Sequence, residues 1–479
     1  MNQTTPRPRH PFQLGILALA VSVATGCATV NVDNTLIQTN ADTRAISQGQ
    51  LSLAQTPAQR SAMQHSAQEL LKKPLQQTDA VQLALLNSPA LQALLAQSWA
   101  DAAQAAQSGR IANPLLSLER MRLGSELELG RLLSFGLLDL LTLPQRKAIA
   151  EQRVAASQLQ LSNAVVEHLS MVRTAWVNAV AAQQSTAYAA QVNESAAASA
   201  ELAKRMLATG NFNKLQRARQ QAFYADAAAQ WASAQHNARA AREVLVRALG
   251  LSDEQAAGLM LPQRLPDLPK TPLDGAQVVS DFAAKRLDLR LAQHEYTVAA
   301  KAQGLSGVTS FTDVEAGVRR DSIRDLEHGE RSIKRGFELD IRLPLFDWGG
   351  LQRDAMSAQT LAAANRLEAV QRSAGSHLRE SYSAYRTAYD IAKHYRDEIV
   401  PLRKTISEEN LLAYNGMIIG VFELLADSRD QLAAVNAAIA AQQQFWLAQA
   451  ALASTVLGKP LGLGNVAMPK AGKSEAVGH

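Results

Sequence analysis

Most of the chain carries the hydrophobic spacing of long helices. Between residues 145 and 207, and again between 351 and 414, apolar side chains recur every three or four positions with few helix-breaking residues. Roughly sixty residues at about 1.5 Å each predict helices about 95 Å long. Glycine and asparagine interrupt the spacing at 209–214 and at 415–420, and it resumes after both. The sequence therefore predicts two long helical hairpins, the second turned by an Asn-Gly pair with positive φ.

Two shorter regions have the two-residue period of strands. From 126 to 137 charged or small residues alternate with leucine and phenylalanine, and the same alternation flanks a charged connection at 319–334. In a soluble protein the apolar face would cover a core. Residues 1–26 have the layout of an export signal. In an exported chain, two hairpins of about ten-residue strands with one apolar face are what a membrane barrel requires. Four strands cannot close a barrel and an open sheet edge cannot face lipid, so closure requires several chains.

The order of helix, β-hairpin and helical hairpin occurs twice. LLNSPAL at 85–91 matches AAKRLDL at 283–289, and Asp139 matches Asp347, so the landmarks lie about 200 residues apart. A repeat of that length predicts a duplicated domain rather than a solenoid. The predicted organisation is a signal peptide at 1–26, a lipidated segment at 27–74 that is extended or partly helical, a first repeat at 75–250, a proline-punctuated linker at 251–275, a second repeat at 276–458 and a loose tail at 459–479.

The N-terminus has the layout of a secretory signal. Basic residues precede an apolar run at 14–24, which is too short to span a bilayer as a permanent helix. Cys27 follows it and is the only cysteine, so disulfides are excluded. Ala-Thr-Gly-Cys resembles a bacterial lipoprotein box, in which cleavage leaves Cys27 as the lipidated N-terminus, although Ala24 stands where that box prefers leucine. Ala28 rather than aspartate follows, which implies anchoring in the outer membrane.

Composition and motifs argue against an enzyme. Charged residues make up 19% of the chain and aromatic residues 5%, which suits long, closely packed helices. The net charge of +5 is spread along the chain without the basic run of a nucleic-acid site. The nine histidines are scattered, none at metal-ligand spacing from cysteine or a carboxylate, and there is no Gly-Lys phosphate loop. We therefore expect no catalytic site, no cofactor, no bound metal and no nucleic-acid partner.

From about residue 75 to 458 the chain resembles the TolC family of outer-membrane efflux proteins. The resemblance is carried by ALLNSPAL with the Ala/Gln-rich helix after it, by FAAKRLDL, by RLPLFDWGG at 342–350 and by the tip YNGMIIGVFELL. It implies a mainly α-helical homotrimer in which a twelve-stranded β-barrel continues into a long periplasmic α-helical barrel. It also implies an exit channel that serves an inner-membrane transporter through a periplasmic adaptor.

The same resemblance implies a gate near the second tip. The family carries a tyrosine there, an acidic residue nine positions later and another three beyond; Tyr414 and Glu423 match, while Asp427 stands one position past the second acid. Ile419 takes the place of the family's gate-locking arginine. The tips themselves are expected to contact the adaptor through Thr209, Gly210, Asn211, Asn213, Asn415, Gly416, Met417, Ile418 and Gly420.

The sequence leaves several readings open. The chain could be the duct of a type I protein-secretion system, or a coiled-coil envelope scaffold without a pore. Glu423 and Asp427 also fit a solvated helix face, and Trp348 fits either an aromatic belt or core packing. The tyrosines of 382–395 step by three or four and predict helix packing rather than a cofactor box. A wide duct need not bind what it passes, so drug, solvent, metal ion and protein all remain candidate substrates.

The lipoprotein box generates the first prediction. We expect the mature chain to begin at Cys27 with attached acyl groups, because the only thiol follows the apolar segment of the signal. Mass spectrometry of the purified N-terminus measures this, and Cys27→Ser should remove the lipid mass. An unmodified terminus at another residue would contradict lipidation and leave the channel expectation untouched.

Overall fold

The computed structural model describes residues 31–460, so Cys27 and the tail beyond residue 460 lie outside the described residues. Up to residue 249 the helices are α1 (Val32–Ser47), α2 (Pro57–Leu71), α3 (Gln77–Asn87), α4 (Pro89–Gln107), α5 (Leu137–Leu141), α6 (Leu143–Ala208) and α7 (Lys214–Leu249). The later helices are α8 (Asp253–Ala257), α9 (Gly275–Lys285), α10 (Leu287–Thr309), α11 (Gly350–His394), α12 (Val400–Asn415) and α13 (Val421–Val456). The strands are β1 (Leu115–Leu123), β2 (Glu126–Gly136), β3 (Val314–Asp325) and β4 (Arg331–Ile341).

The segment before residue 75 is more ordered than its polar sequence indicates. The side chain of Asn31 accepts a hydrogen bond from the Asp33 amide at 2.8 Å and caps α1. Thr56 and Gln59 form a reciprocal capping box at the start of α2, where Pro57 needs no amide partner. These local caps explain two helices where at most partial helicity is expected.

The first repeat opens with two helices instead of one. The periodicity predicts a continuous helix from Thr78 to about Gly109, and this prediction is wrong at Ser88, where the backbone turns to ψ 113°. Pro89 is the cause, because proline disfavours the helical conformation of the residue before it and lacks an amide to continue the ladder. The Ser88 hydroxyl accepts from the Leu91 amide and starts α4.

The long helices follow the hydrophobic spacing closely. Helix α6 has 66 residues and α7 has 36, and the two run side by side as the first helical hairpin. In the second hairpin a π-helical turn, Tyr395–Ile399, joins α11 to α12, and Pro401 lies in the first turn of α12. The sequence predicts that Pro401 kinks the helix or ends one segment, and the change to a π-helical turn lies directly before this proline. Among residues 31–460, no helix is both long enough and apolar enough to cross a membrane.

The four strands form one antiparallel sheet in the order β1-β2-β3-β4. The two β-hairpins therefore join through β2 and β3, where Leu133 lies opposite Val318. The charged connection predicted at 319–334 is mostly strand, and only 326–330 form a turn. The prediction was wrong there because charged residues on both faces hide the two-residue period.

The tyrosines of the second repeat hold the linker between the repeats. Tyr385 and Tyr389 are buried on α11 and pack against Phe445 of α13, with ring centroids 5.6 and 5.7 Å away. The Tyr385 hydroxyl accepts from the Leu273 amide at 3.0 Å, and the Tyr389 hydroxyl donates to the Pro269 carbonyl at 3.1 Å. The helix-packing interpretation of this stripe is confirmed, and its hydroxyls satisfy backbone groups of the linker.

Candidate functional site

The sheet has an apolar face that is open to its surroundings. Leu116, Leu133, Val318 and Phe337 lie side by side across the four strands. Phe337 is 90% exposed, far beyond what a core-facing side chain of a soluble protein shows. A row of large apolar side chains without protein cover indicates contact with an apolar medium or a partner.

The apolar face continues past β4 towards the helices. Leu343, Leu345, Phe346 and Trp348 are all exposed, Phe346 fully and Trp348 at 67%. Core packing of Trp348 is therefore wrong for the single chain. From Phe337 to Leu343 the strand direction covers about 20 Å at about 3.3 Å per residue, close to the height of an apolar membrane band.

The opposite face carries all the carboxylates of the four strands and is called the acidic face, although Leu115, Met121 and Leu123 of β1 are also exposed on it. Its side chains are more crowded than those of the apolar face, with Asp321 only 7% exposed, as on the concave side of a curved sheet. Despite this density, within residues 31–460 no group of three or more His, Cys, Asp or Glu side chains is arranged to hold a metal ion. The charged residues of the acidic face are Glu119, Glu126, Glu128, Glu315, Asp321, Asp325, Glu338 and Asp340, together with Arg319 and Lys334.

One arginine ties the acidic face together across three strands. Arg319 of β3 lies 3.0 Å from Asp321, 3.1 Å from Glu119 of β1 and 3.8 Å from Glu338 of β4. It reaches β1 across Gly130, where an added Cβ would lie 3.3 Å from both the Asp321 carboxylate and the Glu119 Cβ. The missing side chain at Gly130 thus leaves room for an ion-pair network that joins β1, β3 and β4.

The first helical tip is a tight, self-satisfied turn. Gly210 has φ +77°, and the Asn211 amide donates to the Met206 carbonyl at 2.9 Å. The Asn211 side chain donates to the Thr209 hydroxyl at 3.1 Å. Asn213 caps α7 in a capping box with Gln216. Most of the polar groups named here therefore form their hydrogen bonds within the turn itself.

The second tip places its strain on a different residue than expected. Gly416 has φ −79°, and the left-handed position falls on Met417 with φ +58°, so the predicted Asn-Gly turn is wrong in this detail. A side chain at positive φ costs about 1 kcal/mol. Met417 and Ile418 are 93% and 80% exposed, and Gly420 starts α13 without a side-chain cap. The tip therefore presents exposed apolar side chains to a partner.

The three gate candidates lie close in sequence but in different environments. Tyr414 and Glu423 are exposed, whereas Asp427 is 8% exposed, with carboxylate Oδ2 buried and lacking a hydrogen-bond partner. Within the described part of the chain, no hydrogen bond or ion pair joins them to one another. Glu423 lies in the first turn of α13, where a negative charge is favoured by the helix dipole.

The fold is similar to those of solved outer-membrane proteins. The Campylobacter jejuni CmeC outer membrane channel matches at 14% identity with a TM-score of 0.66, over 86% of this chain and 89% of that one. The open state of the Neisseria gonorrhoeae MtrE outer membrane channel matches at 18% identity with a TM-score of 0.63, over 81% and 88%. The chain has the fold of an outer-membrane channel.

A membrane protein from Pseudomonas aeruginosa shares this channel fold at 20% identity with a TM-score of 0.66, over 79% of this chain and 93% of that one. No family model matches the sequence, and no curated protein matches it either. At these identities the likeness establishes the fold, and the expected combination of long helices with two β-hairpins is confirmed.

Sequence reasoning missed a contact that binds the second tip of this channel fold to the first hairpin. The Arg429 guanidinium of α13 donates to the Gln220 side chain of α7 at 2.9 Å and lies 4.2 Å from the centre of the Phe223 ring. Burial lowers the pKa of Arg429 from its ordinary value, although guanidinium stays charged in proteins. The helical period places Arg429 on a face but names no partner on a helix about 200 residues away.

The same contact region continues away from the tips. Tyr188 of α6 donates its hydroxyl to the Leu432 carbonyl of α13 at 3.3 Å, and burial raises the pKa of Tyr188 to about 12. Tyr188, Phe223 and Leu432 pack on a small cluster of buried residues between the two hairpins. The end of the second hairpin therefore moves only if these contacts slide or separate.

The Arg429 contact generates the second prediction. Arg429→Met keeps the length of the side chain but removes the hydrogen bond and the cation–π contact, together worth about 1–2 kcal/mol. We expect amide hydrogen exchange in the first turns of α13 to become about tenfold faster. Arg403→Met is the control, because its ion pair with Asp430 is at the surface and should contribute little. Equal exchange rates in both variants would show that the contact of Arg429 with Gln220 and Phe223 does not hold the start of α13.

Proposed function

We propose that this chain is the outer-membrane exit channel of a tripartite efflux system and works as a homotrimer. The observation that carries the proposal is the four-stranded sheet, whose apolar face is uncovered in a chain with the channel fold. An apolar band outside and charged side chains inside are the arrangement of a barrel in a membrane. Efflux, with an inner-membrane transporter and a periplasmic adaptor, rests on the resemblance to the TolC family.

The trimer follows from the edges of the sheet. Strands β1 and β4 each pair on one side only, and unpaired backbone groups are costly in lipid. Three chains supply twelve strands in which β4 of one chain pairs with β1 of the next. Outer-membrane lipid is then the partner of the apolar face, and a lipidated Cys27 would add an anchor on the periplasmic side.

The helices supply the tunnel in this proposal. The order of short helices, β-hairpin and long helical pair occurs at 77–249 and again at 275–456, which supports the proposed duplication at 75–250 and 276–458. Three copies of two helical hairpins give a tube that ends at the tips. Low aromatic content and abundant alanine let such helices approach closely.

Trimer formation and conduction test this function. We expect the purified full chain to appear as a trimer in native mass spectrometry and to open discrete conductance steps in planar lipid bilayers. A folded chain that stays monomeric, or trimers without conductance, would favour the envelope scaffold. A strain lacking the chain should retain a small-molecule efflux substrate; retention of an exported protein instead would favour the secretion duct.

The gate proposal generates the third prediction. In a trimer the exposed Glu423 becomes a ring of three carboxylates with Asp427 one turn further along α13, and such rings favour cations. Glu423→Gln with Asp427→Asn should lower the cation preference by about fivefold, equivalent to about 1 kcal/mol of Coulomb energy. Asp253→Asn with Glu254→Gln in α8 is the matched control. Unchanged selectivity and conductance in the gate variant would show that these acids form a solvated face.

The adaptor proposal generates the fourth prediction. The tips at 209–214 and 415–420 would meet the adaptor end to end, with Met417 and Ile418 forming the apolar part of the junction. Gly210→Glu and Gly416→Glu should each abolish efflux in cells without lowering trimer yield. Gly304→Glu in α10 is the control, because a Cβ at Gly304, like one at Gly210, would meet no atom within 4 Å. Efflux that survives both tip substitutions would place the junction elsewhere.

A further inference from the structure

The exposed face of the sheet changes its chemistry half-way along the strands. Beyond the row of Leu133, Val318 and Phe337, towards the turns, this face becomes rich in arginine. One row holds Arg131, Arg320 and Arg335 side by side on β2, β3 and β4. The row nearest the turns holds Arg122, Arg324 and Arg331, and Arg120 lies between the two rows.

These residues, which we call the arginine belt, are exposed and lack counter-charges. The face carries no aspartate or glutamate within the four strands, since every carboxylate of the sheet points to the acidic face. Within residues 31–460, no belt arginine lies within ion-pair distance of a carboxylate. Like charges directly opposite each other on neighbouring strands are destabilising. The row of Arg131, Arg320 and Arg335 therefore favours binding of an anion.

The position of the belt identifies the kind of anion. Leu118 of β1 lies in the same row as Arg131, and the row of Val318 and Phe337 lies only about 7 Å along the strands. A ligand of this surface has to cover large apolar side chains and several guanidinium groups at once. Soluble polyanions satisfy the arginines but leave Phe337 uncovered, whereas a lipid with a phosphorylated headgroup satisfies both.

The proposed channel gives this surface a place in the membrane. The helices extend into the periplasm, so the strand turns and the belt lie on the outer side. Arginine facing lipid is costly at the bilayer centre and cheap near its boundary, which places the belt at headgroup depth. Guanidinium binds phosphate through two parallel hydrogen bonds, and the belt contains arginine throughout and no lysine.

We propose that the arginine belt binds the phosphate groups of lipids in the outer leaflet, while the adjoining apolar rows hold their acyl chains. This inference rests on the proposed channel, because the acidic face has to line the lumen for the belt to face lipid. With three chains the belt surrounds the barrel and fixes its depth in the membrane. The trimer is then secured on the outer side by headgroups and on the inner side by its helical barrel.

Lipid binding to a belt variant tests the proposal. The variant carries Arg131→Gln, Arg320→Gln and Arg335→Gln in the full chain, and Arg264→Gln, Arg366→Gln and Arg372→Gln remove the same charge from exposed helix and linker positions as a control. Native mass spectrometry of purified trimers measures binding of diphosphorylated lipid A. We expect at least about tenfold weaker binding to the belt variant and unchanged binding to the control. Equal binding to the belt variant and the wild type would overturn the proposal.

Two further probes identify the source of the phosphate. Fully dephosphorylated lipid A should bind the wild type as weakly as the phosphorylated form binds the belt variant, and inorganic phosphate alone should bind too weakly to measure. Inorganic phosphate that binds as tightly as the lipid would overturn the role of the acyl chains. If the glutamine variant does not form trimers, Arg→Lys at the same three positions keeps the charge, and we expect an intermediate loss of binding.

Channel recordings separate failure of the belt from failure of the proposed function. The belt variant should keep the conductance and ion selectivity of the wild type, because its substitutions lie outside the pore. A change in selectivity would show that the arginines face the lumen and would overturn the proposal that they bind lipid. Wild-type trimers without conductance refute the proposed function. Normal conductance of the wild type, combined with unchanged lipid binding by the belt variant, refutes only the proposal that the arginine belt binds lipid.

Discussion

The constraint on which the rest of the structure depends is hydrogen bonding of the two edge strands of its sheet. Strands β1 and β4 expose backbone amides and carbonyls along one side, and a membrane offers nothing that can hydrogen-bond them. Adding equivalent chains edge to edge satisfies them all at once, and closure also gives the two faces separate surroundings. In the proposed trimer the uncovered apolar residues meet lipid and the acidic face meets water. In an isolated sheet Phe337 would expose its apolar ring to water, and the carboxylates around Arg319 would crowd on one face without a functional reason.

The helical part obeys a related constraint, because helices this long cannot be stabilised by local contacts alone. Ordinary globular helices are much shorter than the 66 residues of α6. Support comes from burial of small and apolar residues between helices, as at Trp176 on α6, whose indole donates to the Leu75 carbonyl at 2.7 Å. The tyrosines of α11 do the same for the linker, so that each long helix is held by an element distant in sequence.

Near the tip of the second hairpin, buried polar groups lie among the apolar contacts between helices. Asp427 keeps a buried carboxylate oxygen without a partner, and Arg429 has a buried Nε in the same state. Buried unpaired polar groups are costly, and such features concentrate where a structure moves or meets a partner. Met417 at positive φ adds strain in the same region. The free end of the second hairpin therefore combines buried, unpaired polar atoms with a strained turn, and the gate proposed at this tip would use both.

The sequence alone determined the secondary structure and the class of fold, because periods of 3.6 and two residues and the glycine turns are local properties. It placed α6, the second hairpin and the apolar rows of the sheet, and the resemblance supplied the channel fold. The predictions from sequence were wrong at Ser88 and Met417, where a proline and the turn geometry outweighed the helical period, and in the charged half of β3 and β4, where charge on both faces hid the two-residue period. Only the tertiary structure decided which residues meet. Strand register set Arg131 beside Arg320 and Arg335, and helix packing buried Asp427 and brought Arg429 to Gln220, since a period fixes a face but not its partner.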